Sequence, residues 1–321
     1  MPYGEVREWL NRAVSKTVVP VVEPWVRIPP SPICFVTSLC TSVFLFISHK
    51  SFHEENKRAV MGKTIIVANQ KGGVGKTTTV VNLSAYIAEA GKKTLVVDLD
   101  AQGNSCSGLG VEKGENEHGL YEALLGLIDA RKIIVETEVK NLFVIPSNID
   151  LSGAQVEMVD MEKREFKLKS VVDRVKDDYD FVLIDSPPSL GLLTINGLVA
   201  SDAVMIPIQC EYYALEGLSQ LLKTINLVKN RLNPKLQIEG VLLTMYDTRT
   251  NLSKQVVEEV ISYFKNKVYK TIIPRNIKLA EAPSFGKPIS VYDPNSMGAI
   301  CYYNLSKEIM KNGEKSVREG T

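Results

Sequence analysis

The chain has 321 residues, 45% hydrophobic and 23% charged, with a formal net charge of +1. That length and apolar share exclude a disordered polyelectrolyte and allow a large core in one or two domains. The near-neutral balance means that any nucleic-acid contact must come from a local basic patch. The five cysteines, Cys34, Cys40, Cys106, Cys210 and Cys301, are scattered, and no C-x-x-C pair occurs. A disulfide framework or a zinc site is therefore not expected.

Residues 1–60 show neither a helix nor a strand period. They hold "EPWVRIPPSP" and then an uncharged run over 33–48. That run is short against the roughly 20 residues needed to span a bilayer. It also follows prolines and mixed charges, unlike a signal peptide. Residues 4–32 resemble the conceptual translation of a transfer-RNA gene, and "MGKTIIVANQKGG" from Met61 reads as a start in its own right. The expectation is a non-homologous extension over 1–60, from a start placed too far upstream or a disordered arm, with a genuine anchor as the alternative.

From Lys63 onward, apolar strands alternate with amphipathic helices. Strands are expected over 64–69, 93–100, 141–147, 180–188, 202–209, 236–246 and, shorter, 268–275. Helices are expected over 76–91, stopped by Gly91, and over 167–179, 214–232, 253–267 and about 297–313. Strands that are nearly all apolar are buried on both faces. Alternation with helices then predicts an α/β fold, doubly wound, with a mainly parallel sheet flanked by helices. One domain over 61–312 and a polar tail over 313–321 suffice.

The stretch "NQKGGVGKTTT" joins the first strand to the first helix. A strand, a glycine-rich turn and a helix start form a phosphate cradle, in which backbone N–H groups and the helix dipole face the anion. The strict G-x-x-x-x-G-K-[ST] spacing fails, because Gln70 stands where its first glycine would be. Gly72, Gly73 and Gly75 let the backbone curl around phosphate oxygens. Lys76 is spaced to reach the β- and γ-phosphates and Thr77 to place a hydroxyl on Mg2+. Val74 and Thr78 complete the loop. "VVDLDAQGN" ends the second strand with Asp98 and Asp100, two apart and so on one face, at the sheet edge where ligands bind. One can position water while the other helps hold the metal. "FVLIDSPPSLG" ends a hydrophobic strand at Asp185, placed to bind Mg2+ through water.

These motifs resemble those of the deviant Walker-A ATPases, and within them the ParA/Soj partition ATPases. The resemblance runs over Met61–Asn312. It implies an ATP- and Mg2+-dependent homodimer in which Lys71, the first lysine of "KGGVGKTT", reaches the partner's phosphates. It puts the water-positioning role on Asp100. It places Pro274 and Arg275 of "IIPRNIKLAEAPSFGKPISVYDP" beside the adenine, with Thr244 and Met245 as a second candidate wall. Ala101 stands where the family usually carries proline, a mild departure. Between Met245 and Ser290 there are eight bases against four acids, a patch suited to sequence-independent phosphate contact. The resemblance implies nonspecific double-stranded DNA binding through Arg249 and Arg275, with Lys278 as a weaker third. It also implies a ParB-like partner that stimulates hydrolysis, and a cytoplasmic, nucleoid-associated protein.

Two rivals follow from related architectures. A MinD-like membrane-cycling ATPase needs a C-terminal amphipathic helix, whereas "KNGEKSVREGT" is polar all round, so no stable membrane association is expected. An iron–sulfur carrier ATPase needs cluster-ligating cysteines, and none closely follows Asp185. The absence of a helix-turn-helix pattern in 1–60 favours the short Soj-like type.

Overall fold

The computed structural model describes residues 62–112, 118–211 and 217–319. These all lie within one unit, Ala59–Thr321. The expectations for 1–60 and for the start of the helix at 214 fall outside the described residues.

Among the described residues seven strands form one sheet: β1 (Lys63–Val67), β2 (Thr94–Asp98), β3 (Val135–Glu136), β4 (Leu142–Ile145), β5 (Phe181–Asp185), β6 (Ala203–Gln209) and β7 (Gln237–Thr244). Their order is β3-β4-β2-β5-β1-β6-β7, and every pair is parallel except β3 with β4. β2, β5 and β6 are buried at every residue, as near-continuous apolar runs require when helices cover both faces. From β1 the chain first runs to β2 on one side and later to β6 and β7 on the other. This reversal of strand order opens a crevice at the carboxyl ends beside β1, where such sheets bind ligands.

Register decides what meets there. Val67 of β1 pairs with Asp185 of β5, and Asp185 with Asp98 of β2. Both acids therefore sit at one level of the sheet, just below the glycine-rich turn.

The helix Lys76–Glu89 covers the sheet beneath that turn, and its other side is closed by the end of the chain. Thr79 Oγ1 and the Tyr302 hydroxyl lie 3.2 Å apart, buried. The Ile289 N–H donates to Asn82 Oδ1 at 2.6 Å. Leu305 and Ile309 complete the same apolar cluster as Val80, Leu83 and Ile87.

Several elements differ from expectation. Residues 268–275 do not form a regular strand. Tyr269 and Ile273 donate to β7 at Val241 and Leu243, but between them the N–H groups of Lys270 and Thr271 turn to the Glu308 carboxylate. Pro274, which lacks a donor, follows. Only isolated bridges at Val268 and Pro274 result. The helix at 167 ends at Val172, and a 3-10 turn, Lys176–Asp178, follows. The helix Leu192–Ala200 is apolar nearly all round and largely buried, so it carried no amphipathic period to read. The last helix runs Met297–Glu319, through most of the segment expected as a tail.

Candidate active site

The turn after β1 owes its shape to two glycines. Gly73 and Gly75 have φ of 71° and 90°, left-handed values that cost a side-chain residue roughly 1–2 kcal/mol. Gly75 caps the helix Lys76–Glu89 without a side-chain cap, so the first helical N–H groups stay free for an anion. The loop is held from outside. Asn69 accepts from the Lys71 N–H at 3.0 Å and donates to the Pro207 carbonyl at 2.7 Å. Thr244 donates from its hydroxyl to the Val74 carbonyl at 2.9 Å. A Cβ on Gly72 would come within 3.8 Å of Pro188, so the prolines after β5 close up against the cradle.

Lys76 is only 7% exposed and donates back to the Lys71 carbonyl at 3.3 Å. Burial pulls its pKa below the usual lysine value, and the charges of Asp185 and Asp100 oppose that shift. Lys71 is half-buried. Among the described residues no carboxylate lies within ion-pair distance of it.

Asp185 is completely buried. Its Oδ2 accepts from two hydroxyls, Thr77 and Ser105, each at 2.7 Å. Among the described residues its Oδ1 has no donor. Burial pushes its pKa up, and the neighbouring Asp98 charge adds to this. A buried carboxylate oxygen without a donor is costly unless something else meets it. A cation beside Thr77 would do so, and oxygen donors suit a hard ion such as Mg2+. No cluster of three His, Cys, Asp or Glu exists among the described residues.

The two acids at the end of β2 do different things. Asp98 is fully buried, and both its oxygens hold backbone. Oδ2 accepts from the Cys106 N–H at 3.1 Å and Oδ1 from the Asp100 N–H at 3.2 Å. Burial also raises its pKa. These contacts pin the segment 98–106, and Asp98, expected to help hold the metal, sits beside Asp185 at the same level of the sheet. Asp100 is half-exposed at the head of that segment. Its Oδ1 accepts from the Gln102 N–H at 3.0 Å, and its carbonyl is held by the Ser147 hydroxyl at 2.7 Å. Ser105 and Ser147 were missed by sequence reasoning. The hydroxyl-rich "NSCSG" after Asp100 was the available signal for Ser105; nothing local marks Ser147.

Met245, Pro274 and Arg275 are brought together at the end of β7. Met245 has φ 52°, unusual for a long side chain. Tyr246 bridges Pro274, and the Arg275 N–H donates to the Tyr246 carbonyl at 3.0 Å. The expected base walls are thus neighbours, joined to the cradle through Thr244.

The three expected DNA contacts are each already ion-paired. Arg249, with its side chain 83% exposed, forks onto Asp247 at 2.7 and 2.9 Å. The guanidinium holds the Asp247 carboxyl well below the usual range. Arg275 pairs with Glu211, and Lys278 with Glu281 at 2.9 Å. The patch is therefore less positive than the count of bases implies.

Comparison with known proteins bears on this arrangement. Residues 62–238 match a family described as "AAA domain". The chain is 60% identical over 253 residues to the sporulation initiation inhibitor protein Soj of Bacillus subtilis (strain 168), covering 79% of this chain and 100% of that one. It is 55% identical over 256 residues to the chromosome-partitioning ATPase Soj of Treponema pallidum (strain Nichols), covering 79% and 100%. The chain belongs to the ParA/Soj family. Among solved structures, cobyrinic acid a,c-diamide synthase from Mycobacterium smegmatis with bound ADP and magnesium superposes with a TM-score of 0.71 at 36% identity, covering 80% of this chain and 97% of that one. The family match over 62–238 spans the cradle and both acidic strand ends.

Proposed function

We propose that this chain is a DNA-partitioning ATPase that uses Mg2+ and ATP at the carboxyl ends of β1, β2 and β5. One observation carries the reading. The glycine-shaped helix start lies against a buried carboxylate whose Oδ1 has no donor, with the Thr77 hydroxyl bridging the two. Bound Mg2+ supplies charge neutralisation at the phosphate oxygens.

Asp185 and Thr77 hold the ion, and Asp98 keeps the adjoining segment in place. Gly72, Gly73, Val74, Gly75 and Thr78 surround the phosphates. Lys76 leaves the Lys71 carbonyl for a phosphate, where its charge finds the partner that burial otherwise denies it. Asp100 orients the attacking water. Lys71 serves the nucleotide of a second copy, in the manner of a finger residue supplied in trans. Met245, Pro274 and Arg275 border the base.

The ATP-bound dimer carries Arg249, Arg275 and Lys278 to nonspecific double-stranded DNA, exchanging carboxylate partners for phosphates. A ParB-like centromere-binding protein stimulates hydrolysis and releases it. The relatives' partitioning names support this assignment. The site of action is then the nucleoid. No described helix is long and apolar enough to cross a membrane, and membrane attachment forms no part of this reading.

The test is DNA binding with ATP, with ADP and without nucleotide, across a salt series. Retention on DNA of any sequence with ATP alone, lost steeply as salt rises, is the expected result. Equal retention without nucleotide would sink the proposal.

A further inference from the structure

We infer that Ser105 is a positioning residue for the metal: its hydroxyl fixes the Asp185 carboxylate so that Oδ1 faces the ion. This rests on the assignment of Asp185 as metal holder.

The argument begins with the two donors on Asp185 Oδ2. Thr77 and Ser105 both lie at 2.7 Å, and both bonds are charge-assisted if the carboxylate is ionised. The two hydroxyls differ in their other duties. Thr77 belongs to the phosphate loop, and its oxygen is the one spaced to meet a metal. A metal there would take a lone pair of that oxygen and leave its O–H to donate to Asp185, so Thr77 would answer to the ion and to the carboxylate together. Ser105 has no such second task. It is completely buried, and its hydroxyl donates nowhere else among the described residues.

Ser105 is also well anchored. It lies in the short helix Asn104–Gly108. The next residue, Cys106, is held through its N–H by Asp98, one strand away from Asp185. The preceding turn is closed by the Gly103 N–H on the Asp100 carbonyl at 2.9 Å. Ser105 is therefore the side-chain link between the segment carrying Asp100 and the carboxylate at the end of β5. The Asp185 carboxylate is thereby tied to that segment through one hydroxyl, while Asp100 is held by its own contacts with Gln102 and Ser147.

Groups that orient a metal's carboxylate typically change metal affinity by about 10- to 100-fold when removed. The experiment is a Mn2+ titration of the ADP-loaded protein, with free Mn2+ read by electron paramagnetic resonance. Four proteins are compared: the parent, Ser105→Ala, Ser107→Ala and Asp185→Asn. Ser107 lies on the same short helix, but among the described residues its hydroxyl donates only to the Gly103 carbonyl, so it controls for damage to the helix. The expected result is a dissociation constant raised about 10-fold in Ser105→Ala, unchanged in Ser107→Ala, and a lost site in Asp185→Asn. Ser105→Cys, similar in size with a weaker donor, falls between parent and alanine and serves if the alanine variant does not fold.

Parent-like Mn2+ affinity in Ser105→Ala or in Ser105→Cys, with the site lost in Asp185→Asn, would overturn the role of Ser105. An equal rise in Ser107→Ala would overturn it too, since the effect would then be damage to the helix. Parent-like affinity in Asp185→Asn would instead overturn the metal assignment beneath it.

Discussion

The crevice at the ends of β1, β2 and β5 and the basic surface beyond β7 treat charge in opposite ways. In the crevice, charges are buried and left incomplete. Among the described residues Asp185 keeps an oxygen without a donor, and Lys76 donates to a backbone carbonyl alone, at 3.3 Å. On the surface, each expected DNA contact is exposed and already satisfied by a carboxylate. A buried group missing a partner costs free energy until a ligand supplies it, so the crevice is built for tight, specific occupancy. An exposed pair is worth little and exchanges readily, so the surface suits binding that must be reversible and blind to sequence.

That contrast can be broken at either end. Lys76→Ala should have the largest effect, removing ATP binding altogether in calorimetric titration, because no other cation is buried in the loop. Asp100→Ala should follow. Single-turnover hydrolysis should fall by at least about 100-fold if Asp100 orients the water, while ATP binding persists and the protein stays on DNA. Rapid hydrolysis by that variant would remove Asp100 from its role. Gly75→Ala tests the preformed turn. Its Cβ has room, at 3.8 Å from Thr244, so the left-handed φ alone should cost about 1–2 kcal/mol in chemical denaturation.

The surface should respond more gently and in two directions. Arg249→Ala should weaken binding to every DNA sequence alike and lower the salt slope by about 1, with ATP affinity untouched. Asp247→Asn frees the same arginine, so its DNA affinity should rise. A fall in Asp247→Asn would mean that the pair positions Arg249 for phosphate, which would sharpen the comparison.

The parts legible in the sequence were those whose signal is local. The glycine turn, the lysine pair and the acids ending two apolar strands each announce themselves within a few residues. The parallel sheet follows from unbroken runs such as "FVLID". What escaped depends on how the chain turns back or on partners far along it. Asp98 and Asp100 look alike in "VVDLDAQGN", and only the fold of 103–106 over Asp98 separates a buried acid that holds backbone from a half-exposed one. The strand expected over 268–275 is interrupted because Glu308, 37 residues past Thr271, takes two of its N–H groups. The positive patch was overcounted because Glu211 lies 64 residues before Arg275.

The closure of the phosphate-loop helix by Tyr302 and Ile289 bears on how the protein is made. Those contacts join residues 223 and 207 positions apart. A nascent chain emerging from the ribosome displays the entire cradle long before it can bury the helix that carries it. Nucleotide capture should therefore come after synthesis of the last helix, and a ribosome stalled ahead of Tyr302 should hold a chain that has the motif but not the site.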